Sequence, residues 1–109
     1  MANEIGLIEF LPTEGKIILR VPAFDFDSFP ELGSKIIDAL GMSIKEKQQD
    51  ADMHSWLVDF EGTALMLKAE HYSEAVWLEA LNKMNDVEVI TYLAGLFEQG
   101  FVVSRETND

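Results

Sequence analysis

The sequence predicts an α+β domain: a mostly antiparallel sheet with helices packed on one face, in the order ββαβββαα. Three observations predict it. Apolar residues alternate in short stretches, as at Ile17, Leu19 and Val21, which is the period of a half-buried strand. Elsewhere they recur every three or four positions, as at Phe29, Leu32, Ile36, Ile37 and Leu40, the period of an amphipathic helix. The chain has 109 residues, 48% of them hydrophobic, and no cysteine, which suits one domain (1–109) with a packed core and no disulfide framework. The uncovered face of such a sheet meets solvent or a second subunit.

The elements follow in order. Residues 4–11 are rich in β-branched and aromatic side chains, and Pro12-Thr13-Glu14-Gly15 has the proline-early, glycine-late order of a turn. Residues 16–21 complete a hairpin, which Pro22 ends because it has no amide donor. Phe24-Asp25-Phe26-Asp27 reads as a loop. Ser28 is the expected N-cap of the first helix, with Pro30 and Glu31 in its first turn and Gly41 as its stop. Gly33 weakens that helix by about 1 kcal/mol relative to alanine, so packing must hold it. Residues 42–47 are polar and charged, as an edge strand should be. A turn is expected at residues 49–52. Trp56, Val58 and Phe60 then alternate with Leu57 and Asp59, Glu61-Gly62 makes a tight connection, and residues 63–69 form the next strand.

Two further helices are expected. Ser73 has the character of an N-cap, and Tyr72 and Trp77 have the spacing of a hydrophobic staple, ahead of an apolar face of Val76, Trp77, Ala80, Leu81 and Met84. Asn85 and Glu88 have capping-box spacing for the last helix, whose buried side is Ile90, Leu93, Ala94 and Phe97, closed by Gly100. Residues 101–103 dock as a short strand or lie along the core. Residues 104–109 are polar and expected to fray.

Charge narrows the function classes. Twenty acidic side chains against eight basic ones give a formal net charge of -12. That charge repels nucleic acid and anionic lipid, and the few basic residues form no stripe for a nucleic-acid groove. Apolar runs such as Ala64-Leu65-Met66-Leu67 fall far short of the roughly 20 residues that span a bilayer. Met1-Ala2-Asn3-Glu4 lacks the basic start of a secretory signal, so a cytoplasmic location is expected. The acidity also suits attraction to a basic protein partner. The sequence has no Gly-x-Ser-x-Gly elbow, no glycine-rich phosphate loop and no cysteine, so no cofactor is expected and the balance tips away from an enzyme.

Four clusters are weighed for chemistry. Asp25-Phe26-Asp27-Ser28 has the Asp-x-Asp form used in phosphoryl transfer, but acids favouring the next helix N-terminus explain it as well. Asp50, Asp52 and His54 alternate, and on one continuous strand they would share a face able to bind a divalent metal. Glu70-His71 are consecutive, so they point apart and make no ready acid–base pair. Trp56 and Trp77 sit at apolar positions and read as core. In the last helix Ile90, Tyr92, Leu93, Leu96 and Phe97 make a sector wider than one seam. Tyr92 and Leu96 are its candidate interaction surface, covered by a twin subunit through twofold symmetry or by the chain's own residues 101–103.

The tract from Trp56 to Thr63, running into Leu67-Lys-Ala-Glu-His-Tyr-Ser-Glu-Ala-Val-Trp-Leu-Glu79, resembles a family of small acidic bacterial proteins of unknown function. The resemblance implies a compact α+β domain in which a strand pair leads into a tryptophan-bearing helix, and it assigns no functional residue. Two readings of function follow. One is a non-enzymatic protein-interaction module, homodimeric in one version. The other is a divalent-metal-binding protein or metal-dependent hydrolase using Asp50, Asp52 and His54.

Overall fold

A computed structural model of the chain describes residues 3–103. The expected fraying of residues 104–109 lies outside the described residues. Seven strands and two helices follow as β1 (Asn3–Leu11), β2 (Lys16–Arg20), α1 (Phe29–Ala39), β3 (Ser43–Asp50), β4 (Met53–Phe60), β5 (Thr63–Glu70), β6 (Ala75–Ala80), α2 (Val87–Gln99) and β7 (Phe101–Val103). The strands make one sheet in the order β3-β4-β5-β6-β2-β1-β7, antiparallel at every pairing. The α+β class and the antiparallel sheet are as the sequence predicts.

One element is corrected. The tract expected to form the second of three helices is β6, a central strand between β5 and β2. Val76, Leu78 and Ala80 are buried and alternate with the half-buried Ala75, Trp77 and Glu79. The same residues satisfy both periods, because Val76 and Ala80 are also one helical turn apart. What decides is pairing: as a strand the tract satisfies the ladders of β5 and β2 at once, whereas a helix would leave two open edges. The staple does not form, since Tyr72 is exposed and Trp77 points away from the core.

Smaller shifts concern turns and caps. The turn expected at residues 49–52 tightens to Ala51 and Asp52, with β3 running on to Asp50. Glu61 and Gly62 turn with φ of 51° and 91°, the left-handed pair that matches strand twist in a two-residue hairpin. The residue before α2 is Asp86, not Asn85, and its side chain makes no capping hydrogen bond. Of the two placements open for residues 101–103, the strand holds: β7 pairs with β1 through Asn3↔Val103, Glu4↔Val102 and Ile5↔Phe101.

Both helices cover one face. Phe29, Ile36 and Ile37 of α1 and Ile90, Leu93 and Phe97 of α2 share a single core with Ile17, Leu19, Trp56, Val58, Leu65, Leu67 and Leu78. Trp56 is 1% exposed and packs 5.3 Å from Phe29, centroid to centroid. The glycine at 33 is what lets α1 sit this close: a Cβ there would meet the Trp56 ring at 2.8 Å. Among the described residues no helix covers the other face of the sheet, which holds Ile18, Leu57, Met66 and Trp77. No helix among the described residues is long and apolar enough to cross a membrane.

Candidate functional site

The sequence-predicted residues separate. Asp50 ends β3 opposite Met53, exposed and on the uncovered side of the sheet. His54 faces the core, where it is 3% exposed. Its Nε2 donates to the Phe26 carbonyl at 3.0 Å, and its ring stacks on Phe26 with centroids 4.3 Å apart. Asp52 lies in the turn, and its carbonyl accepts the His71 backbone N–H at 2.8 Å. Consecutive even positions share a face only along an unbroken strand. The turn at Ala51 and Asp52 breaks that continuity and sends Asp50 and His54 to opposite faces. The described residues hold no group of three or more His, Asp or Glu placed to hold a metal ion.

The Asp25–Ser28 segment is locally satisfied. Ser28 N–H donates to Asp25 Oδ1 at 2.8 Å, and Asp25 N–H donates to Ser28 Oγ at 2.9 Å. This reciprocal pair is a capping box one turn ahead of the expected cap. Ser28 makes no side-chain bond to α1 itself. The Ser28 backbone N–H, then its hydroxyl, hold the Asp25 carboxyl below its ordinary value of 3.8. The Asp-x-Asp motif is thus occupied in building the approach to α1.

A groove forms where the β4–β5 turn meets α2. Phe60 closes β4, and Glu61 follows in the tight turn, pinned by the Gly62 N–H on Asp59 Oδ2 at 3.1 Å. Across from them α2 presents Glu88, Val89 and Tyr92. Glu88 and Tyr92 are four residues apart and therefore on one side of the helix. The Tyr92 ring lies nearly parallel to Phe60, with centroids 6.1 Å apart and 27° between the planes. Tyr92 is nevertheless 58% exposed. Phe60, Glu61, Glu88, Val89 and Tyr92 line an open cleft of about 270 Å³. The lining has an aromatic floor, two carboxylates, and no lysine, arginine or histidine. It can take an apolar side chain and hold a cation at its rim, by charge and against the Tyr92 face.

Of the surface pair named from the sequence, Tyr92 stands in this groove, while Leu96, one turn later, is half-buried against the core. Phe60, Glu61, Glu88 and Val89 carry no local signal of the groove, which joins residues almost thirty apart in the chain. Trp77 was hidden differently, by its assignment to a helix.

The family described as protein of unknown function (DUF3630) matches residues 5–98. The chain belongs to this family. The DUF3630 match runs from β1 into the last turn of α2 and so includes the whole groove. Nothing among curated proteins or solved structures matches the chain.

Proposed function

We propose that the chain is a non-enzymatic protein-interaction module whose groove takes a basic segment of a partner protein. An apolar side chain of the partner packs against the exposed Tyr92 ring beside Phe60, and flanking arginine or lysine lies against Glu61 and Glu88. The observation that carries this reading is the pairing of an aromatic floor with an all-acidic rim in one cleft. The net charge of -12 supports it by steering a cationic partner toward the surface. Exposed tyrosine beside a cleft is the kind of anchor that concentrates binding energy.

A short peptide alternating arginine and leucine is the probe, with a glutamate–leucine peptide as control. Amide and side-chain NMR shifts should move at Glu61, Val89 and Tyr92 with the first peptide only. The double variant Glu61→Lys/Glu88→Lys should weaken binding about tenfold or more. Binding should also weaken between 0.1 M and 1 M salt, where the Debye length shrinks from about 10 Å to 3 Å. Equal binding by the double variant, or shifts that map elsewhere, would remove this reading.

A further inference from the structure

We infer that the cation this groove selects is arginine rather than lysine, and that Tyr92 makes the distinction. The inference rests on the reading of the groove as a seat for a basic segment. Tyr92 is 58% exposed, and its ring lies nearly parallel to Phe60 with centroids 6.1 Å apart. A planar group held between two rings needs about 7 Å, twice the contact distance of carbon atoms. The gap is closed to it, so a ligand takes the exposed surface of the Tyr92 ring instead. Glu88 precedes Tyr92 by one helical turn on the same side of α2, and Glu61 stands across the cleft on the β4–β5 turn. The lining thus offers one open aromatic surface with carboxylates beside it, and no lysine, arginine or histidine to neutralise them.

Guanidinium and ammonium use such a surface differently. Guanidinium is planar, weakly hydrated and carries five N–H donors around its edge. It lays its face on a tyrosine ring while its edge gives two parallel hydrogen bonds to a carboxylate. Face and edge are separate surfaces, so contact with Tyr92 does not cost the contact with Glu88 or Glu61. Ammonium is a compact, strongly hydrated point charge with no flat face. To sit on the ring it sheds water from the same donors that serve the carboxylate. The aliphatic stem of the arginine continues the apolar contact that its neighbour makes beside Phe60.

Two peptides of equal length and charge separate the cations, one alternating arginine and leucine, the other lysine and leucine. In calorimetric titrations of the full chain the arginine peptide should bind about fivefold tighter. Tyr92→Leu keeps apolar bulk but removes the aromatic face, and should bring the two affinities to within about twofold of each other. Tyr92→Phe keeps the face and should preserve the preference. Circular dichroism verifies that both variants fold. In NMR spectra the arginine Nε–H resonance should move upfield on the wild-type ring and not on Tyr92→Leu. Equal affinity of the wild type for the two peptides, or a preference that survives Tyr92→Leu, overturns the inference and leaves the groove as a seat for basic segments in general. Binding of neither peptide removes both.

Discussion

At the scale of single residues, the contact between Gly33 and Trp56 shows two effects of opposite sign. Alanine is the better helix former by about 1 kcal/mol, so propensity alone favours Gly33→Ala. The Cβ would land 2.8 Å and 2.9 Å from two ring carbons of Trp56, and 3.1 Å from Phe29. Trp56 stands on β4 beneath α1 and is only 1% exposed, and overpacking in such a core costs roughly 1–3 kcal/mol. Sterics should win. Gly33→Ala is expected to lower stability by about 1 kcal/mol net in urea denaturation. Gly95 in α2 is the matched control, because a Cβ there meets nothing within 4 Å. Gly95→Ala should raise stability by up to about 1 kcal/mol. Equal effects at the two positions would mean that α1 does not rely on the close approach.

Secondary elements were legible where one period stood alone. β2, α1, β4 and α2 each show a single repeat with turn residues close by. β6 does not: Val76, Trp77 and Ala80 fit a helix face, Val76, Leu78 and Ala80 fit a strand face, and the choice is made by partners more than fifty residues away in β2. The groove was half legible for a similar reason, Tyr92 being visible as an apolar excess on α2 while Phe60 and Glu61 reach it only through the fold. Asp50, Asp52 and His54 misled because alternation signifies a shared face only when no turn intervenes. Asp25 and Ser28 have the three-residue spacing of a capping box, a helix-start signal that stands in the sequence itself. That box predicts a pH effect at α1. Asp25 has its carboxyl held below 3.8 in the folded chain, so its contribution is fully present above that value and is lost as pH falls through the lowered one. The stability difference between wild type and Asp25→Asn should therefore shrink on acidification and vanish at the acid end. The Ser28 amide resonance should report the titration directly, with a midpoint below 3.8. A midpoint at or above that value would show that the box does not hold the carboxylate.

For the molecule as a whole, the excess of acid is plain in the sequence, but where it is offset is not. Among the described residues the ion pairs are Arg20–Glu4 at 3.7 Å, Lys35–Glu31 at 3.3 Å and Lys68–Glu79 at 3.7 Å. Arg20–Glu4 is open to solvent, Lys35–Glu31 is partly covered and Lys68–Glu79 is half-buried; an exposed pair contributes about 0–1 kcal/mol, and three pairs do little against a net charge of -12. Self-repulsion therefore acts across the folded surface, and it relaxes on unfolding as the charges move apart. Raising ionic strength from 0.01 M to 0.15 M cuts the Debye length from about 30 Å to 8 Å, which silences most repulsion across the molecule while touching the core little. Added NaCl should then stabilise the chain at neutral pH, where losing surface ion pairs would destabilise it. A gain of about 1 kcal/mol would raise the melting temperature by about 4–8 °C in a domain of this size. Urea is the denaturant to use beside the thermal scan, since guanidinium would itself screen the charges. KCl should act as NaCl does if screening is the cause. A midpoint that falls with salt would mean that the three pairs, not the unpaired acids, dominate the electrostatics of this fold.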